Sequence, residues 1–284
     1  MDARLWRAWI ISSRSLASVS VREINIHSSR MSKLTFFHCA RVFLKTPCPR
    51  AIAISSNNSG KQSFDITVPR ASYVAHAFCN FVNALDQKRQ ISINYRETNS
   101  ADSIQYVAQS VHNLAIIRYQ VPYEQYFLNA LNENGLKHEL LLEFDHVAII
   151  SENDPLAQKE TMELSDLSDY IEIAHGDISV PDLPTVQARK IAKKQKDQKR
   201  INVYERGSQF QLLSRVPNTF MWVSPVPKQL LDYYNLVQIP CKSPLNRCKD
   251  LLIYRKSYHL TNEDKLFVKT LKETIQRAKR YTDK

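Results

Sequence analysis

Tyr204-Glu205-Arg206-Gly207-Ser208, then Phe210, Leu212, Leu213 and Val216, then Thr219-Phe220-Met221-Trp222-Val223-Ser224-Pro225: this stretch decides how the chain is read. The polar turn opens a short amphipathic helix. Thr219 to Val223 is rich in β-branched and aromatic side chains and stops at Ser-Pro, so it reads as a buried strand. With a strand at Ile201 to Tyr204 in front, the whole is a strand–helix–strand unit. In open α/β sheets ligands sit where such strands end and helices begin. Arg206 and Ser208 open the helix and are expected at the edge of that site. Met221 and Trp222 are expected behind it, as core.

The same grammar recurs upstream. Phe64-Asp65-Ile66-Thr67-Val68 alternates with period two. Pro69-Arg70-Ala71-Ser72 then starts a helix with Tyr73, Ala77, Phe78, Phe81, Val82 and Leu85 on one face. Ile91 to Tyr95 is a second strand, and Thr98-Asn99-Ser100 caps a second helix with Ile104, Val107, Ala108 and Val111 as its apolar face. Leu114-Ala115-Ile116-Ile117 is continuously apolar, as strands of a parallel sheet are. Two β–α–β units in close succession predict an α/β fold of the doubly wound kind. Further strands are expected at Leu140 to Ile150, broken at Asp145-His146, and at Tyr170 to Ile173, Val237 to Pro240 and Asp250 to Tyr254. Leu260-Thr261 with Asp264 resembles a capping box. It opens a last helix whose apolar face is Phe267, Val268, Leu271 and Ile275.

Composition narrows the function. The 284 residues carry a formal charge of +11, but unevenly. Residues 1–62 hold 10 basic and 2 acidic residues, +8; the remainder hold 29 and 26, +3. The main body therefore has no electrostatic footprint for nucleic acid. The basic run Arg189 to Lys196 is expected to be a solvated helix face. Gly60, Gly135, Gly176 and Gly207 are the only glycines, and they lie too far apart for a GxGxxG loop or a Walker phosphate loop. GxSxG and HExxH are also absent. His38, His112, His138, His146, His175 and His259 do not stand at metal-ligand spacing with Cys or acids, so no metal or cofactor is expected. Five scattered cysteines without a CxxC pair fit free thiols in a reducing cytoplasm. No apolar run is long enough for a membrane helix.

Several phrases together resemble the effector-binding domain of LysR-type transcriptional regulators. Phe64 to Tyr73 resembles its opening strand and helix start, and Glu97-Thr98-Asn99-Ser100 its second-strand terminus. Leu114 to Ile117 resembles its third strand, and Asp154-Pro155-Leu156-Ala157 its His-Pro-Leu-Ala turn, with Asp154 in place of His. Lys249 to Lys256 resembles the strand before its last helix. The resemblance implies two Rossmann-like subdomains, similar to type 2 periplasmic binding proteins: subdomain I from 63–142 and 243–284, subdomain II from 143–242. It implies a small, anionic effector in the cleft between them, a homo-oligomer in the cytoplasm, no membrane association and no enzymatic activity.

The family's DNA-binding winged helix-turn-helix is not visible in residues 1–62, which show no two helical periods around a tight turn. Three readings of that segment compete: a degenerate head or linker, an Arg/Ser-rich leader, or an out-of-frame translation product. DNA is expected as a partner only if a working head is present.

The candidate ligand-binding residues are Ser72, Thr98, Asn99, Ser100, Arg118, Tyr119, His175, Arg206 and Ser208. Ser72 and Thr98 to Ser100 sit at helix starts, where backbone amides favour an anion, although helix capping alone would also account for them. Arg118 suits a carboxylate or a surface salt bridge. His175 and Asp177 end a strand, where a capping role is the alternative for Asp177. Two rivals remain at this stage: a solute-binding protein of a transporter, which requires export, and an enzyme on the same fold, which requires Arg118, His175 and Asp177 to converge. No catalytic residue is assigned.

Overall fold

Lys61–Val68 (β1) carries Phe64, Ile66 and Val68 into one face of a sheet and Thr67 into the other. A strand buried on both faces must lie inside a sheet, and β1 does. In the computed structural model, which describes residues 60–176, 199–242 and 247–282, β1 pairs in parallel with Gln90–Glu97 (β2) on one side and Leu114–Gln120 (β3) on the other. Ser72–Asn83 (α1) and Ser100–Ala108 (α2) supply the two crossovers. The two expected β–α–β units are therefore present.

Beyond β3 the chain forms Glu124–Glu133 (α3) and Leu136–Asp145 (β4). Gly135, at φ +65°, reverses the chain between them in a conformation that glycine adopts without strain. After the single residue His146 comes Val147–Ser151 (β5), so the expected break is one residue wide. The second region runs through Met162–Glu163 (β6), Ile171–His175 (β7), Arg200–Val203 (β8), Gly207–Arg215 (α4), Thr219–Val223 (β9), Lys228–Tyr234 (α5) and Leu236–Lys242 (β10). The chain then returns to the first sheet as Arg247–Arg255 (β11) and closes with Asn262–Thr282 (α6).

Among the described residues the strands form two sheets, ordered β2-β1-β3-β11-β4 and β6-β10-β5-β9-β7-β8. Neither is purely parallel: β11 runs antiparallel to both β3 and β4, and β5 to both β10 and β9. The first sheet is covered on both faces. Phe64, Phe81 and Phe267 pack together under α1 and α6. Ile104, Phe127 and Leu131 pack under α2 and α3 on the other face. In the second sheet Phe210, Leu213 and Leu231 bring α4 and α5 onto one face. Met221 is core, as expected, and half-buried Trp222 packs edge-to-face on Phe220.

One expectation needs correction. Val111, expected on the apolar face of α2, is 55 % exposed, because the helix stops at Ala108 and Ser110 takes a positive φ of 62°. Helices α3 and α5 carried no expectation at all. The capping box at the start of α6 does form: Thr261 N–H donates to Asp264 Oδ2 at 2.8 Å and Asp264 N–H to Thr261 Oγ1 at 3.1 Å. The basic run from Arg189, Asp177 and nearly all of residues 1–62 lie outside the described residues. No described helix is long and apolar enough to cross a membrane. Cys79 and Cys248 are free thiols.

Candidate functional site

Parallel pairing brings the C-terminal ends of β1 and β2 together. Val68 stands opposite Glu97, and Thr98 N–H donates to the Val68 carbonyl at 3.0 Å. Two chain segments leave the sheet edge here: Arg70 to Ser72, entering α1, and Glu97 to Ser100, entering α2. Facing them from the second sheet is the turn from β8 into α4, which carries Tyr204, Glu205 and Arg206. Arg206 crosses the gap. Its Nη1 forms a short ion pair with Glu97 Oε1, and its Nη2 donates to Ser72 Oγ at 2.9 Å. Arg70 returns the contact, donating from Nη2 to the Tyr204 carbonyl at 3.1 Å.

A cleft of about 870 Å³ opens beside this bridge, with Arg70, Tyr95, Glu97, His112, Glu205 and Arg206 in its wall. Two polar atoms in that wall, the Tyr95 hydroxyl and His112 Nδ1, are buried with no hydrogen-bond partner among the described residues. Buried polar groups are nearly always paired, so these two mark an unusual wall. Burial, reinforced by the Glu97 charge, raises the Tyr95 phenol well above its ordinary range. Burial lowers the His112 imidazole, against the opposing pull of Asp65. Both are therefore neutral near pH 7.

The remaining candidates separate into groups. Ser72 is the first residue of α1, not its cap; Ala71 holds the cap position, which leaves the Ser72 hydroxyl for Arg206. Asn99 caps α2, accepting from Asp102 N–H at 2.8 Å and donating Nδ2 to Asp102 Oδ2 at 2.9 Å. Thr98 Oγ1 donates to the same carboxylate at 3.3 Å. Ser100 Oγ donates to the Arg118 carbonyl at 2.7 Å and accepts from Arg118 N–H at 3.0 Å, tying the start of α2 to β3. Tyr119 is core, stacked on Phe127 with ring centres 5.1 Å apart. On the second sheet, His175 Nδ1 lies 2.6 Å from Gln209 Nε2; donation by the amide puts the ring proton on Nε2. Gly176 follows, and a Cβ there would sit 2.6 Å from the Tyr204 ring, so glycine is what lets that tyrosine lie over the strand end. Ser208 is exposed on the first turn of α4.

Arg118 is engaged inside the first sheet. It stands directly opposite Asp250 in the β3–β11 register. Its Nε and Nη2 donate to the two Asp250 oxygens at 2.8 and 2.7 Å. The Tyr73 hydroxyl donates to Asp250 Oδ2 as well, and the guanidinium lies over the Phe144 ring, 4.7 Å from its centre. Burial works against the Arg118 charge, but Asp250 outweighs it and holds the guanidinium protonated. Burial, followed by the Asp250 charge, raises the Tyr73 phenol well above its usual range. Close by, His146 and Cys248 are in contact, with Sγ 3.6 Å from the ring nitrogens. Burial and then the Arg118 charge pull His146 down to about 3, while burial pushes Cys248 up to about 12. A neutral imidazole beside a protonated thiol is not an activated nucleophile. Among the described residues no three His, Cys, Asp or Glu side chains gather to hold a metal ion.

No protein-family model matches the sequence, and no curated protein matches it either. Solved structures do. The regulatory domain of the LysR family regulator MetR from N. meningitidis is 17 % identical, with a TM-score of 0.52 over 76 % of this chain and 94 % of that one. The fold is that of a LysR-family effector-binding domain. The effector-binding domain of a BenM variant gives 16 % identity and a TM-score of 0.50, covering 78 % and 96 % of the two chains. The reduced regulatory domain of OxyR2 from Vibrio vulnificus gives 14 % and 0.52, covering 75 % and 96 %. These three structures are regulatory or effector-binding domains. The two sheets described above are thus the two halves of a type 2 periplasmic-binding-protein-like effector-domain fold.

Several residues of this site went unmarked in the sequence. Glu97 stood at the expected end of β2 but looked like one more strand-terminal acid. Asp250 carried a readable signal: a single acid inside Asp-Leu-Leu-Ile, a strand apolar enough to be buried, must find a buried partner. Tyr73, Arg70 and Gln209 gave none.

Proposed function

We propose that this chain senses a small molecule as the effector domain of a LysR-type transcriptional regulator in the cytoplasm. The ligand sits in the cleft between a first subdomain formed by residues 63–142 and 243–284 and a second formed by 143–242. The observation that carries the reading is Arg206, which reaches from the start of α4 to Glu97 and Ser72 on the first sheet. A guanidinium at a helix start, facing the C-terminal ends of parallel strands, suits an anionic group of the ligand. Ser72 and Arg206 make the first contacts. His175 and Ser208 lie on the second-sheet side of the cleft, and Thr98, Asn99, Ser100, Arg118 and Tyr119 shape the first-sheet side through caps, ion pair and core.

Such a ligand shifts the balance between open and closed forms by its differential affinity for them. In a homo-oligomer, that shift changes the arrangement of subunits and of any DNA-binding heads they carry. A thermal-shift screen of the full chain against small organic anions, amino acids included, tests the reading. At least one compound is expected to raise the melting temperature of the wild type and to leave Arg206→Gln unmoved. A screen without a hit, or a hit that persists in Arg206→Gln, counts against it.

A further inference from the structure

Arg206 already has an anion. A ligand carboxylate that takes its guanidinium must share it with Glu97 or displace it. Glu97 has little else to turn to. Its side chain is only 20 % exposed. Among the cations in the cleft wall, Arg70 is engaged with the Tyr204 carbonyl, and Arg96 lies over the Tyr106 ring, 5.1 Å from its centre. With a ligand filling the cleft and excluding water, a displaced carboxylate that gains no new cation is unfavourable. Beside it, Tyr95, two residues earlier on β2, has a buried hydroxyl with no partner among the described residues. The Arg206–Glu97 pair therefore offers one donor group for an anion and one acceptor group for a cation, joined at a guanidinium whose Nη2 also donates to Ser72.

We propose that Glu97 is a specificity-determining residue that makes the cleft select α-amino-acid-type zwitterions, whose carboxylate takes Arg206 and Ser72 while their ammonium group takes Glu97. The inference rests on the reading of this cleft as the ligand site. The exchange is balanced. One internal ion pair opens, two form with the ligand, and no charge is left without a partner. A plain carboxylic acid of the same skeleton opens the same pair and replaces only half of it. Selectivity then comes from the group that would be stranded as much as from the group that is bound.

The test is isothermal titration of the full chain with the twenty L-α-amino acids and, for each, the acid of the same skeleton lacking the amino group. At least one amino acid is expected to bind, and to bind at least about tenfold more tightly than its deaminated partner, as for a charge pair broken on one side. Glu97→Gln keeps the size of the side chain and removes the charge; it is expected to erase that preference. Glu97→Asp keeps the charge and is expected to keep the preference. The proposal is overturned if the acid binds the wild type as tightly as the amino acid, if the preference survives in Glu97→Gln, or if Glu97→Asp loses it as fully as Glu97→Gln does. If neither series binds the wild type while other small anions do, this proposal alone falls. If nothing binds, the cleft is not the ligand site and both readings fall together.

Discussion

Arg118–Asp250 and Arg206–Glu97 are the same chemical pair in two settings. Asp250 is fully buried, with Arg118 16 % exposed; Glu97 and Arg206 are 20 % and 21 % exposed. The first pair is fixed by register. Its partners face each other on adjacent antiparallel strands of one sheet, and Tyr73 closes the Asp250 carboxylate from above. The second spans two sheets and has no register to hold it. One partner is at the end of β2 and the other on a turn, and besides the guanidinium the Arg70–Tyr204 hydrogen bond crosses there. What separates a structural ion pair from an exchangeable one here is not the distance between its charges. It is how many independent constraints survive if the pair opens.

Breaking the fixed pair has the largest expected effect. Asp250→Ala leaves the Arg118 charge and the Tyr73 hydroxyl buried without their acceptor. Removing one partner of a buried pair costs about 3–5 kcal/mol, and urea unfolding should read a loss of that order. Arg118→Met with Asp250→Leu removes both charges at once and should recover at least half of it. If the single variant loses no more than about 1 kcal/mol, as an exposed pair does, the contrast between the two pairs fails.

The next effect appears with pH. His146 sits where the chain crosses from β4 to β5, with its ring against Cys248, and is held near 3 by burial and by Arg118. The unfolded chain takes up a proton below about 6.5, whereas the folded chain stays neutral until near 3. The resulting stability is complete above pH 6.5 and is lost progressively as pH falls toward 3. Between pH 6 and pH 5 this amounts to about 1 kcal/mol. His146→Gln should flatten that part of the stability profile. An unchanged slope would place the acid sensitivity elsewhere and remove His146 from the Arg118 environment.

The same contrast explains what was legible in the sequence. Periodicity and caps reveal local order, and β1, β2, β3, β9, α1, α2 and α6 are all local statements; each lies where it was expected, to within a few residues at the ends. Helix α3 was not read, although Phe127 and Leu131 stand one turn apart and Gly135 stops the helix, because its exposed face is too polar for the pattern to stand out. Side-chain partners are not local. Arg118 and Asp250 are 132 residues apart, and Arg206 and Glu97 109 apart. Arg118 could be marked as an unusual charge beside a buried strand, but its partner is set by the β3–β11 register, which no short pattern encodes. Arg206 was marked because it opens a helix. Glu97 was not, because an acid at a strand end has the same appearance whether it faces water or a cleft.

The smallest expected effect on stability is also the one that best separates the two pairs. Arg206→Gln removes an ion pair whose partners both retain some access to water, so in the ligand-free cleft Glu97 can rehydrate, as it cannot once a ligand fills the cleft and as Asp250 cannot at all. The loss should stay below about 1 kcal/mol. It should also shrink as salt is added, because screening acts on exposed charges far more than on buried ones. Arg118–Asp250 variants should show no such salt dependence. Measured side by side, the two arginines would then reverse rank: Arg118 dominant for folding, Arg206 dominant for ligand binding. If Arg206→Gln destabilises the fold as strongly as Asp250→Ala, the bridge is a structural clamp. A ligand could then displace Glu97 only by loosening the whole second sheet from the first.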